Sequence, residues 1–121
     1  IPSLRLATPP AHVEHAYYRY YAYVRPQMLK AGWSRDRIVQ AIVAEGIPCG
    51  SGVCPEIYRE EAFAHGESCP KNRLPVAREL GETSLAFHVH PTLSRSDIDD
   101  TARAAAKVLR AATAIPRRRA A

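Results

Sequence analysis

Between Ser34 and Gly46 the chain writes out a helix with both ends marked, and the glycine-rich segment after it narrows the fold sharply. Ser34 offers an N-cap oxygen, and Asp36 places a carboxylate in the first turn, where the helix dipole favours it. Ile38, Val39, Ile42 and Val43 recur at helical spacing as an apolar stripe. Gly46 is the expected left-handed terminator. Ile47–Cys49 then reads as a short apolar strand, and Gly50-Ser51-Gly52-Val53-Cys54-Pro55-Glu56-Ile57-Tyr58 as a polar turn opening into a second helical segment. Helix, turn and strand in immediate succession indicate an α/β layer.

The flanking segments extend this pattern. Ala16–Val24 is rich in tyrosine and reads as a strand, with Tyr17, Arg19, Tyr21 and Tyr23 on one face and Tyr18, Tyr20, Ala22 and Val24 on the other. Its tyrosines fit either a sheet core with hydroxyls at the rim or a contact face for a partner domain. Residues 56–64 are expected to form a short helix with Ile57, Tyr58 and Phe63 inward, and 65–72 a polar loop. Leu74–Leu80 is a helix that Gly81 should stop, and Ser84–Val89 a strand closed by Pro91. Ser94 or Ser96 caps a last, alanine-rich helix. Its core face is Ile98, Ala102, Ala105, Val108, Leu109 and Ala112. The predicted order is β-α-β-α-α-β-α, a small three-stranded sheet with helices on one face.

With 121 residues, 46% of them apolar, the chain is one globular domain. No run approaches the ~20 apolar residues of a membrane span. The start has neither an initiator Met nor a signal-peptide pattern. Residues 1–10, with Pro2, Pro9 and Pro10, are therefore expected to be a linker from an upstream domain, 11–115 the domain itself and 116–121 a basic tail. Cys49, Cys54 and Cys69 match neither zinc nor redox spacing, which points to a reducing, cytoplasmic setting. The formal charge is +5, and removing Arg117–Arg119 leaves +2, which argues against nucleic-acid binding by the folded part.

Chemistry concentrates in one loop. Gly50 and Gly52 permit close approach of a ligand, and Ser51, Cys54, Glu56 and Tyr58 set polar groups around that gap. Glu56, Glu60 and Glu61 could include a general base, or form a solvated helix surface. His88 and His90 share a strand face, but zinc needs at least three protein ligands and no third is aimed there, so no metal is expected. No nucleophile stands beside a base, and no catalytic residue is assigned.

Four segments taken together resemble the C-terminal domain of DegT/StrS-type sugar aminotransferases. These are Tyr17–Val24 with Arg25-Pro26, the helix Trp33–Glu45, the loop Gly46–Tyr58, and Leu74–Leu85 running on to His88-Val89-His90-Pro91-Thr92-Leu93-Ser94. The resemblance covers about residues 11–114 and implies the small domain of a fold type I enzyme that makes amino sugars for lipopolysaccharide, antibiotics or glycans. Such enzymes carry pyridoxal 5'-phosphate on a lysine of a large N-terminal domain. Lys30, Lys71 and Lys107 do not match that lysine's motif. The implied partners are the large domain, a second copy in a homodimer and a sugar substrate. Family members usually carry a histidine and aromatics in the loop after Gly46, where this chain has Gly50-Ser51-Gly52-Val53-Cys54. Ser51, Cys54, Glu56, Tyr58 and His90 are the expected substrate-binding residues. The alternative is a stand-alone binding module that uses the tyrosine face and the arginine tail on an acidic partner such as nucleic acid.

Overall fold

Tyrosine, alanine and valine alternate along the second strand, and the alternation sorts them onto two covered faces. The computed structural model describes residues 1–63 and 69–114. Its strands are β1 (Leu4–Leu6), β2 (Arg19–Val24), β3 (Cys49–Gly50) and β4 (Ser84–His88). They form one antiparallel sheet in the order β1-β2-β4-β3. The helices are α1 (Arg35–Ala44), α2 (Pro75–Thr83) and α3 (Arg95–Ala112).

Register decides which side chains meet. Ala22 lies opposite Leu85, and Tyr20 opposite Phe87. That face carries the core, where Ala22, Val24, Leu85 and Phe87 pack against Ile38 and Ile42 of α1 and Val108, Leu109 and Ala112 of α3. Each fully buried Leu or Ile contributes about 1.5–3 kcal/mol. Lys107 of α3 reaches the Glu45 carboxylate at the end of α1, with a shortest distance of 2.7 Å. The opposite face, with Tyr21, Tyr23 and Ser84, lies under α2 and the loop through Val53 and Pro55.

Both long helices begin as their sequences direct. Ser34 Oγ accepts the Arg37 amide at 3.2 Å. Ser94, rather than Ser96, caps α3, and Asp97 completes a capping box by accepting the Ser94 amide. Gly46 ends α1 at φ +85°.

The α/β class and the three expected strands stand, and the structure adds to and shifts them. Leu4–Leu6, inside the stretch expected to be an irregular linker, pairs with Ala22–Val24 as an edge strand. Pro2 lies outside this strand, and an edge position tolerates prolines nearby. Just before it, Ser3 is fully buried, and its hydroxyl donates to Thr113 Oγ1 at 2.6 Å while that hydroxyl donates to the Leu109 carbonyl. The helices divide between the two faces instead of sharing one. Gly81 does not stop α2, which continues to Thr83, because glycine is needed there for contact with Pro55.

Other differences have local causes. Residues 56–63 make only a 3-10 turn at Ile57–Arg59, after which Glu60 is extended, and Ile57 and Phe63 face outward. Tyr17 leaves the strand pattern at φ +46°, held by its amide bond to His15 Nδ1. Ile98 and Ala102 are exposed because the first turns of α3 border an open apolar groove of about 440 Å³. The tail with Arg117–Arg119, on which the binding-module alternative draws, lies outside the described residues.

Candidate functional site

The glycine-bracketed loop is anchored at both ends. Gly52 takes φ +91° directly against the sheet, where a Cβ would come within 2.6 Å of Tyr21 Cε1. One residue earlier, the Ser51 carbonyl accepts the Ser84 hydroxyl at 2.6 Å, tying the loop to β4. On its far side Pro55 packs on Gly81 of α2. The chain therefore crosses from β3 to the α2 layer along a fixed path, leaving Ser51 and Cys54 exposed at its edge.

Glu56 is the centre of the loop's polar network. Its carboxylate is buried and accepts the Tyr58 hydroxyl at 2.6 Å. Arg73 donates through Nε to Oε1 at 2.9 Å and through a terminal nitrogen to Oε2, a forked charge-assisted pair. The Tyr58 oxygen in turn accepts the Leu74 amide at 2.9 Å, just ahead of the first residue of α2. Hydrogen bonds from Arg73, then from Tyr58, hold the Glu56 carboxyl at about 2. Burial and the bond to Glu56 push the Tyr58 phenol up.

These shifts define what the loop can do. A carboxylate held this far down is a fixed acceptor and a poor base near neutrality. Cys54 donates to Glu60 Oε1 at 2.9 Å, a bond that raises its thiol and keeps it protonated. Burial raises Cys49 to about 11. Thiolate chemistry needs the opposite shift. The loop is thus built to present hydrogen-bonding groups on a rigid frame.

Of the five expected site residues, the structure gathers Ser51, Cys54, Glu56 and Tyr58 into this loop. It puts His90 elsewhere, in the turn after β4, where Nδ1 is held by Thr92. Because β4 ends at His88, the two histidines do not continue one strand face. Among the described residues no three metal-ligand side chains converge. Arg73, the counter-ion of Glu56, carried no signal in the sequence, since 17 positions and no motif connect the two.

The solved aminotransferase of Psychrobacter cryohalolentis matches 82% of the chain at 48% identity with a TM-score of 0.77. The chain is similar to one part of an aminotransferase. Aminotransferase TlmJ of Streptoalloteichus hindustanus shares the fold over 92% of the domain, at 23% identity and a TM-score of 0.72. A DegT DnrJ EryC1 StrS aminotransferase of Brucella abortus does so over 88%, at 24% identity and a TM-score of 0.69. The resemblance drawn from the sequence therefore holds: the solved structures it matches are aminotransferases, and the fold is theirs. The chain spans only about a quarter of those proteins, covering 25%, 27% and 26% of their chains. No protein-family model matches it, and no curated protein is significantly similar to it. Among its described residues no helix is long and apolar enough to cross a membrane.

Proposed function

We propose that this chain is the C-terminal small domain of a pyridoxal-phosphate-dependent aminotransferase of the DegT/StrS type. In this reading it closes over cofactor and substrate in the synthesis of amino sugars, on sugars or nucleotide sugars. The observation that carries the reading is the 48% identity to the Psychrobacter cryohalolentis aminotransferase over 82% of the chain. The large N-terminal domain and a second copy in a homodimer are its partners, and the cytoplasm its setting. Three free cysteines support a reducing compartment.

Pyridoxal phosphate supplies the electron sink for moving an amino group, and we place its attachment lysine outside this chain. Lys30 Nζ already donates to the Ala111 carbonyl at 2.7 Å, and Lys107 is held by Glu45. Lys71 is exposed in the loop before α2. Within this domain, Ser51 and Cys54 offer hydrogen bonds to substrate from the exposed edge of the loop. Glu56 and Tyr58 are positioning residues that hold the edge through Arg73 and Leu74.

The test uses the full-length protein. It should release pyridoxal phosphate in stoichiometric amount on denaturation and transfer an amino group to a keto sugar. Ser51→Ala and Cys54→Ala should raise KM for the sugar more than they lower kcat. A full-length protein without the cofactor overturns the reading. Unchanged KM in both variants removes the loop from the substrate.

A further inference from the structure

The cavity beside His90 lies apart from the Ser51–Tyr58 loop. It encloses about 420 Å³ at the end of the sheet, between the start of β2, the turn after β4 and the second turn of α3. Its polar walls are Tyr18, Arg19, His88, His90, Thr92 and Thr101, and no carboxylate lines it. Two other arginine-lined cavities, one of them between α1 and α3, hold carboxylates beside their arginines, whereas this wall has a single sign.

Each donor is placed by the backbone. Arg19 and His88 are direct cross-strand partners, so both side chains leave the same face of the sheet at its end. Among the described residues the Arg19 guanidinium has no carboxylate or carbonyl partner, and lies only over the Tyr18 ring, 5.5 Å from its centroid. Tyr18 is itself 81% exposed. It stands out because Tyr17, at φ +46°, turns its own ring back onto His15 and Tyr20. His90 Nδ1 accepts the Thr92 amide at 3.3 Å, so in the neutral ring the proton sits on Nε2 and that edge is a donor.

We infer that this cavity is a binding site for an oxyanion, a phosphate or carboxylate group on a small ligand. Arg19 supplies the fixed charge and the forked donor geometry that suits such groups. His88 and His90 Nε2 complete the donor set, since the Thr92 hydroxyl already donates to His90 Nδ1 and the Thr101 hydroxyl to the Asp97 carbonyl, and the exposed Tyr18 ring gives a flat surface for the rest of the ligand. The site does not depend on the aminotransferase reading, since it uses none of the residues of the Ser51–Tyr58 loop.

The test is a titration of the 121-residue chain with inorganic phosphate, followed by its NMR resonances at constant ionic strength. Saturable shifts should centre on Arg19, His88, His90 and Thr92 and spare Glu56 and Arg73. Arg19→Gln should weaken binding about tenfold or more, the loss of one charge-assisted pair, with Tm unchanged because its side chain has no acceptor among the described residues. Should that variant unfold, His88→Asn carries the same expectation. A parallel titration with acetate separates the two ligand groups, and saturation by either one supports the site. Shifts that never saturate, that spread over all the surface arginines, or that survive both substitutions overturn it.

Discussion

Arg73 grips both carboxylate oxygens of Glu56 from 17 residues away, and that pairing fixes the distance between the loop after β3 and the start of α2. Tyr58 completes the clamp by donating to the same carboxylate while accepting the Leu74 amide. The segment between them thus closes without regular secondary structure other than one short 3-10 turn among its described residues.

Acid should open this clamp before it unfolds the sheet. Glu56 has a folded value of about 2 against an ordinary 4.5, so its contribution is complete above 4.5 and is lost as pH falls toward 2. Amide exchange at Leu74 should speed up across that window while the amides of β2 and β4 stay protected. Glu56→Gln should abolish the pH dependence there and leave Leu74 exchanging fast throughout. Equal protection of Leu74 at both ends of the window would refute the clamp.

Gly81→Ala should destabilise the domain, reversing the usual sign. Alanine normally gains about 1 kcal/mol over glycine inside a helix. Here the new methyl would sit within 2.8 Å of Pro55 Cβ and closer still to its Cγ. A lowered Tm, restored when Pro55→Ala is added, is the expected pattern in thermal unfolding.

Much of this architecture was legible in the sequence, and the part that was not has a common physical origin. Ser34, Gly46 and the Ser94 box act within one turn of themselves, so local chemistry announced both long helices. Strand alternation likewise set Ala22 and Val24 on one face, without saying which face would be the core. What escaped depends on contacts remote in sequence. Leu4–Leu6 is a strand only because Ala22–Val24 offers a free edge, and Gly81 is helical only because Pro55 arrives above it. The site divides the same way. Glycine spacing marked the loop, but nothing local to Glu56 pointed to Arg73, and nothing near His90 pointed to Arg19.

Thr113→Val should cost about 1–3 kcal/mol, the penalty for stranding a buried hydroxyl. Ser3 is fully buried, and Thr113 Oγ1 is its acceptor at 2.6 Å. Ser3→Ala should be milder, since Thr113 keeps its bond to the Leu109 carbonyl. Denaturant unfolding of both variants checks the order, and a larger loss in Ser3→Ala would contradict it.

Leu85→Ala should lose about 2–5 kcal/mol. Its side chain is fully buried between α1 and α3 and lies opposite Ala22, which is too small to fill the space. Denaturant midpoints should fall at constant slope if the fold itself survives.

Helix α2 passes into β4 at Thr83 and Ser84 with no intervening residue, and Ser84 holds the carbonyl of Ser51. There is no slack in that junction. A push on the loop is delivered straight into the central strands, so the layer carrying Ser51 and Cys54 moves with the sheet or not at all. On the proposed reading, closure over a bound molecule is then a swing of the entire domain rather than the bending of a flap.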